Sequence, residues 1–511
     1  MVAKRTGVLR TQGTKADGYR ELRFEELEQR QLLSATDIAT PLYDVVADAT
    51  KGPSGYSPAQ MAQAYGFNQV AGGLNGAGTT IAIVDAYSDP NLVSDVAVFD
   101  KQFGLAPINL TVVNQTGGSK LPAANAGWAA EIALDVEWAH AMAPGAKILL
   151  VEATNNSMSN LLAAENYARN AAGVVVVSNS WGSSEFSSET SDDSYFTTPT
   201  GHQGVTFTVA AGDSGAPAEY PSSSPNVLSV GGTTLKLTAS GAWSSETVWS
   251  DGGGGMSKYE AKPSYQSSLS IARRGTPDVS YDANPSTGVS VYNTYGGSGW
   301  AVYGGTSIAA PQWAAIIAIA DEGRIQAHEG SLSNAQAVLY SLPSSDFHDI
   351  ASGNDGNGAG KGYDLASGLG SPYAQFVIRD LIAYKGTVSA SYVKPATMML
   401  VLNGITLSSH GTEFGGDTSG DGARADDADN ASSVSLTTPT TNVSSQTAAI
   451  NVVSSGVSQP TQQAADRWLA SATLIISPNA KHASLADATD DIAGRHDAWF
   501  AQLGATSALL R

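Results

Sequence analysis

Short, almost wholly apolar runs recur along the first part of the chain, at Thr80–Asp85, Ile108–Val113, Lys147–Val151, Val174–Ser178, Val205–Ala210 and Asn226–Val230. Their β-branched content predicts strands. The lack of polar alternation predicts strands covered on both faces. Between several of them, apolar residues return at helical spacing over Leu92–Phe103, Trp128–Met142 and Ser159–Ala172. Ser57-Pro58 reads as an N-cap followed by proline in the first turn, opening a further short helix to Tyr65. Strands alternating with helices predict an α/β fold: a doubly wound, mostly parallel sheet over roughly residues 50–385, with ligands outside the carboxyl ends of the strands.

After about Gly386 the pattern gives way to Ser, Thr, Ala, Asp and Asn. A stretch so poor in large apolar residues cannot offset its ordering entropy, which predicts a polar C-terminal extension or linker over 387–463. Apolar residues at helical spacing in Arg467-Trp468-Leu469 and Ile492–Leu510 predict a short helical segment within 464–511. Residues 1–50 form a separate basic N-terminal segment. The expected central domain is 51–386.

The central domain is organised around Gly304-Gly305-Thr306-Ser307-Ile308-Ala309-Ala310-Pro311, which leads into apolar Gln312–Ala318. Pro311 must lie in the first turn of any helix there, so the helix cannot start much before Ser307. That puts a hydroxyl where the helix dipole favours developing negative charge. Serine is also a preferred N-cap, and the motif alone does not choose between cap and nucleophile.

Glu131 and Asp135 lie four residues apart, sharing a helix face with Trp128, Trp138 and Met142. Carboxylates at that spacing repel, and large apolar neighbours leave them poorly solvated, so an acid pair here invites chemistry, with an accidental surface pair as the alternative. Asp213, in Gly212-Asp213-Ser214-Gly215, and Ser180-Trp181-Gly182 each follow a buried-type strand, where a ligand site is expected, although both also read as ordinary turns.

Composition narrows the function. The 511 residues carry 27 basic and 47 acidic side chains, a net charge of −20 that would repel nucleic acid and anionic membrane alike. With no cysteine, disulfides, thiol catalysis and cysteine–zinc sites are excluded. No apolar run is long enough to span a membrane, and residues 1–36 lack the apolar core of an ordinary secretory signal.

Together the motifs resemble the sedolisins, serine-carboxyl peptidases with a subtilisin-like fold, over about residues 55–385. Gly-Gly-Thr-Ser-x-Ala-Ala-Pro matches the family's nucleophile motif at Ser307, Glu131-x-x-x-Asp135 its acid pair, and Asp213 its oxyanion-side aspartate. By the same resemblance Asp85 would extend the proton relay, and Ser180, Trp181 and Gly182 would line the substrate cleft. Phe347-His348-Asp349-Ile350 and Gly360-Lys361-Gly362-Tyr363-Asp364 match the family's site for one Ca²⁺ ion, held by Asp349, Ile350, Gly360, Gly362 and Asp364. The resemblance implies an acid-acting, calcium-stabilised serine endopeptidase that acts as a monomer on polypeptide substrates. Arg23–Ala35 resembles the LEPR-x-L-L motif of exported bacterial proteins and implies an extracellular or cell-surface location.

His410-Gly411-Thr412 imitates the histidine motif of subtilisins, but it follows Ser307 instead of preceding it, and is read as accidental. His140 faces away from Glu131 and reads as structural. Asp417–Gly422 imitates a calcium loop but has Ala428 in place of the bidentate glutamate. Relatives usually carry a large pro-domain, whereas only about fifty residues precede the expected catalytic domain, so the resemblance leaves zymogen control open. A catalytically silent binding module on the same fold and a serine esterase are the competing expectations.

Overall fold

In the computed structural model, the described residues are 38–46 and 52–386, with strand segments at 399–402, 405–411, 434–437, 447–452 and 470–475. Two units divide the chain at residues 392 and 393. The second unit is described only by those segments, which form one five-stranded antiparallel sheet. These positions are strand where a linker and helices were expected. Ile405–Gly411 and Thr447–Val452 carry the β-branched residues Ile405, Thr406, Thr447, Ile450 and Val452, which suit a pleated strand. The helix expected at Ile492–Leu510, the Asp417–Gly422 loop and the Arg23–Ala35 motif lie outside the described residues.

The first unit is built on an eight-stranded sheet. Its strands are β1 (Thr80–Ala86), β2 (Asn109–Asn114), β3 (Lys147–Ala153), β4 (Val174–Asn179), β5 (Thr206–Ala210), β6 (Leu228–Leu237), β7 (Trp243–Val248) and β8 (Val279–Asp282). The order is β7-β6-β5-β4-β1-β3-β2, with β8 also pairing β6. Every pairing is parallel except β6 with β7. This is the doubly wound arrangement the apolar runs predict.

Among the described residues seven α-helices follow in chain order: α1 (Pro58–Tyr65), α2 (Leu92–Phe103), α3 (Ala126–Met142), α4 (Met158–Asn170), α5 (Ala309–Gln326), α6 (Ala335–Leu339) and α7 (Ala374–Ala383). Ser57 caps α1 by accepting from the Gln60 amide, and Asn125 caps α3 by accepting from the amides of Gly127 and Trp128. Both α3 and α5 are buried along almost their whole length, as helices apolar on every side must be.

The strand alternation divides the core. Ile81 and Ile83 of β1 pack with α3 and α5, whereas Ala82, Val84 and Ala86 pack with α4 on the opposite face. Asp85, next in the first series, therefore points to the α3 side.

One ion pair anchors the strand edge near the expected calcium loop. Arg274, fully buried, makes a two-pronged bond to Asp278 at 2.6 Å on each oxygen. Asp278 also accepts from the Ser229 amide and the Tyr340 hydroxyl, and its carbonyl accepts from Leu369 of the 364–371 loop. Removing one partner of a buried, hydrogen-bonded pair strands the other charge, which typically costs about 3–5 kcal/mol. Asp278→Ala is therefore expected to lower unfolding stability by about that amount in denaturant titration, and a loss below 1 kcal/mol would contradict this account.

Candidate active site

Ser307 sits in a single 3₁₀ turn, Thr306–Ile308, immediately before α5, with Pro311 in the helix's first turn as the sequence predicts. Gly305 precedes it at φ 98°. A Cβ there would lie 2.3 Å from the Leu42 carbonyl oxygen and 2.4 Å from Asp213 Oδ2, so the position has no room for a side chain. Ser307 is buried, and its hydroxyl donates to the Ser180 carbonyl at 3.3 Å.

Four acidic side chains from three elements surround this turn. Asp85 comes from the carboxyl end of β1, Glu131 and Asp135 from one face of α3, and Asp213 from the loop after β5. Asp85, Glu131 and Asp135 are buried, and Asp213 is half-buried with its Oδ2 enclosed. Ser180 Oγ donates to Asp135 Oδ1 at 2.8 Å and lies 3.5 Å from the Ser307 carbonyl oxygen, which links the acid pair to the serine turn. Asp213 Oδ1 accepts from both the Thr306 amide and the Thr306 hydroxyl, each at 2.8 Å.

The remaining acidic oxygens are bare. Both oxygens of Asp85 and of Glu131, with Asp135 Oδ2 and Asp213 Oδ2, have no hydrogen-bond partner. Glu131 does feel the Ser307 hydroxyl, which favours its ionised form, but the hydroxyl is turned towards Ser180 and no bond of ordinary length joins them. Burial pushes all four carboxyls up, Asp85 to about 8 with help from Glu152, its register partner on β3. Glu131, Asp135 and Asp213 rise well above the usual carboxylate range, first through burial. The charges of Asp135 and Asp85 add to the shift of Glu131, and that of Asp85 to the shift of Asp135. At neutral pH and below, such a set holds protons that exposed acids would have released.

The sequence does not reveal what fills the groove beside Ser307. Residues 38–46, within the expected N-terminal segment, run through it as an extended strand. Thr40–Pro41 pairs antiparallel with Trp181–Gly182, and Asp44–Val46 pairs antiparallel with Gly299–Gly304. Leu42 N–H donates to the Ser180 carbonyl at 3.2 Å, and the Leu42 carbonyl accepts from Ser307 N–H at 3.0 Å. The Leu42 side chain packs with Ala210 and Ala310. Beside it stands Glu219, whose Oε2 and the Leu42 Cδ1 would both touch a Cβ at Gly182, at 2.8 and 3.3 Å. Burial raises Glu219 to about 7. Tyr43 donates to the Gly127 carbonyl, and burial, with the Glu131 charge adding to it, disfavours its phenolate.

Thr306, Leu42, Tyr43 and Glu219 are site residues that motif reading misses. Only Thr306 carried a signal, as a neighbour within the serine motif. Trp181 is buried in the core, with its indole donating to the Val84 carbonyl, so its backbone rather than its ring faces the groove. His140 meets Asp100 and the Ala106 carbonyl, away from the site.

The five expected calcium ligands converge on one loop. Asp349 Oδ1 accepts from Gly362 N–H, and Asp364 Oδ2 from Gly360 N–H. Asp364 Oδ1 accepts from Ala366 N–H, Ser367 N–H and the Ser367 hydroxyl, and that hydroxyl lies 3.4 Å from the Ile350 carbonyl. Among the described residues no cluster of three or more acidic or histidine side chains could hold a metal, so a cation here would need backbone carbonyls to complete its shell.

A parallel α/β sheet with a serine at the start of a buried helix, faced by carboxyls where a histidine would complete a triad, defines a subtilisin-like fold with an acidic site. A model of the subtilase family (Peptidase S8) matches residues 123–358. Kumamolisin from Bacillus sp. (strain MN-32) is 33% identical over 67% of this chain and 66% of its own length. Sedolisin from Pseudomonas sp. (strain 101) is 34% identical over 62% of this chain and 60% of its own. The structure of Pseudomonas sedolisin, a serine-carboxyl proteinase complexed with two molecules of pseudo-iodotyrostatin, superposes with a TM-score of 0.57 at 31% identity, covering 65% of this chain and 98% of that one. The chain belongs to the sedolisin family. It spans somewhat less than two thirds of the full length of the two curated relatives.

The raised acids make stability depend on pH. A carboxyl whose pKa is higher folded than unfolded favours the fold fully below its unfolded value, and that contribution is lost as pH rises through the folded value. With Asp85 and Glu165 at about 8 and Glu152 at about 7, stability should decline from about pH 4 to pH 8. Calorimetry across that range is expected to give a falling Tm. A Tm that climbs from pH 4 to 8 would mean the acids are not buried as described.

Proposed function

We propose that the chain is a serine-carboxyl endopeptidase that hydrolyses polypeptides through an acyl-enzyme on Ser307 at acid pH. One observation carries the reading: among the described residues Ser307 is enclosed by four carboxyls from three elements, with unpartnered oxygens and no imidazole beside them. A buried polar atom left without a partner is costly, so such a set persists in a folded protein where the reaction uses it.

Ser307 Oγ attacks the substrate carbonyl while Glu131 takes its proton and returns it to the leaving amine. Asp135, held by the Ser180 hydroxyl, positions Glu131 and shares its proton, and Asp85 extends that relay. Asp213 is fixed through Oδ1 by Thr306, which leaves Oδ2 beside the carbonyl position. Protonated, that oxygen donates to the tetrahedral oxyanion together with Ser307 N–H, a type of contact worth roughly 2.7–4 kcal/mol. Ionised, it repels the oxyanion. The Ser180–Gly182 strand binds substrate by backbone pairing.

One Ca²⁺ ion is assigned to Asp349, Asp364 and the carbonyls of Ile350, Gly360 and Gly362. Two carboxylates and three carbonyls form a hard-oxygen set suited to this ion, and the ion would tie the 349–364 loop to the edge strand. Export is the accompanying proposal for location.

The test is hydrolysis of denatured casein from pH 3 to 8 by the wild type, Ser307→Ala, Asp213→Ala and Asp213→Asn. Ser307→Ala should lose on the order of 10⁶-fold in kcat, and Asp213→Ala about 10²–10³-fold. Wild-type activity should fall as pH rises through the raised pKa of Asp213. Asp213→Asn, a permanent donor, should lose that alkaline limb, and an unchanged limb would remove Asp213 from the oxyanion role.

Chelation is expected to lower Tm, with recovery on adding Ca²⁺ to the wild type but not to Asp364→Asn. A melt indifferent to both chelator and Ca²⁺ would withdraw the ion.

A further inference from the structure

Asp85 has an acidic neighbour outside the serine turn. On β3, Glu152 stands opposite it in register, and both lie on the α3 side of the sheet, following Ile81 and Ile83 on one strand and Ile148 and Leu150 on the other. Neighbouring strands run about 4.8 Å apart, which brings two such carboxyls within reach of each other. Both are sealed from water, Asp85 at 0% exposure and Glu152 at 1%. Neither oxygen of Asp85 has a hydrogen-bond partner, nor has Glu152 Oε2. On the other flank of Glu152, its register partner Asn114 of β2 is already bonded to residues 116, 118 and 120, which leaves Asp85 as the neighbour for that bare oxygen. Two buried acids side by side are satisfied when one carries a proton and donates it to the other.

The second oxygen of Glu152 leads outward. Oε1 accepts from the Ser88 hydroxyl at 3.0 Å. Ser88 and Asp89 belong to the turn between β1 and α2 and are the first members of the row to touch solvent, at 6% exposure each. Asp89 Oδ1 accepts from Asn91 N–H, and its Oδ2 is bare. Acidity is graded along the row: burial raises Asp85 to about 8, Glu152 to about 7 and Asp89 to about 6. The charges acting on it are carboxyls too. Glu152 adds to the shift of Asp85, Asp89 to that of Glu152, and Asp95 of α2 to that of Asp89, while on α3 Glu131 and Asp135 feel Asp85, and Glu137 feels Asp89.

We propose that Glu152 is the outer positioning residue of the relay: it shares one proton with Asp85, keeps Asp85 a hydrogen-bond donor towards the Glu131–Asp135 pair, and exchanges that proton with water through the Ser88–Asp89 turn. The proposal rests on the peptidase reading above. Only protons move. Asp85 gives one to Glu152 Oε2, Glu152 gives one to water at the turn, and the reverse course restores both acids. With Glu152 ionised, its charge holds the remaining proton on Asp85, which leaves the proton of Asp135 to Glu131. An ionised Asp85 would claim that proton and leave Glu131 without the donor that positions it. Because this route leaves by the β1–α2 turn, the relay stays in touch with the external pH while a chain fills the groove.

Glu152→Gln keeps the size of the side chain and an acceptor for Ser88 but cannot take the charge. Its kcat/KM on denatured casein is measured from pH 3 to 8 as a ratio to wild type, in which the titration of Asp213 cancels. Protonation of Asp85 is followed by infrared difference spectroscopy, through the carboxyl band that Asp85→Asn lacks. The ratio should stay near one at pH 3 to 4, where the row is protonated in both proteins, and fall at higher pH by up to about tenfold for each unit by which the Asp85 titration moves down. The Asp85 band should titrate about one unit or more below wild type, because a like charge beside it is gone. Glu152→Asp, which keeps the charge, should bring the ratio back towards one at every pH. A ratio constant from pH 3 to 8, whether at one or uniformly reduced, would overturn the positioning role, and an Asp85 band titrating as in wild type would overturn the shared proton. A shifted band in a protein whose wild type hydrolyses no casein at any pH would overturn the peptidase reading and leave the shared proton standing.

Discussion

Setting four carboxyl groups, three of them fully buried, around one hydroxyl, with no cation set among them, is the constraint on which the rest of this molecule depends. Isolated charges in such a place are too costly to keep, so the acids hold protons, and their protons are what the proposed chemistry moves. The scaffold is shaped to permit this. Helix α3 is apolar around its circumference, so it can be sunk into the core with Glu131 and Asp135 aboard, and α5 is sunk in the same way behind Ser307. Thr306 spends both its donors on Asp213, which fixes one oxygen of that acid and frees the other.

Much of the fold was legible because the parallel sheet writes itself in continuous apolar runs. The strands β1, β3 and β4 and the helices α1 to α4 lie within a residue or two of where that patterning puts them. The acid pair was legible for a related reason: Glu131 and Asp135 share their helix face with tryptophans, which a solvated charge stripe would not do. The serine turn followed from Pro311. The occupied groove was not legible, because Ile38–Val46 has no periodic pattern of its own. It is held by edges of strands some 140 and 260 residues further along, and no local signal records such a pairing. Nor did the polar composition beyond Gly386 announce the strand segments described there, since its scattered β-branched residues lie among small polar ones that are common in linkers.

The groove also explains features that motif matching treats as fixed spelling. Gly305 stands where a methyl group would strike the Leu42 carbonyl and Asp213 together, and Gly182 where it would strike Glu219. These glycines leave room for a bound backbone. The serine motif is therefore a surface shaped to receive an extended chain, with the nucleophile set at its deepest point.

The alternation along β1 carries a last consequence. Ile81 and Ile83 face α3, Ala82, Val84 and Ala86 face α4, and Asp85 takes its side from that count. A slip of one residue would send the acid into the aliphatic layer under α4 and present an alanine or a valine to Glu131. Pairing the strand correctly and wiring the proton relay are thus a single event: a misfolded sheet in this protein would also be a disconnected circuit, and folding proofreads the chemistry before any substrate arrives.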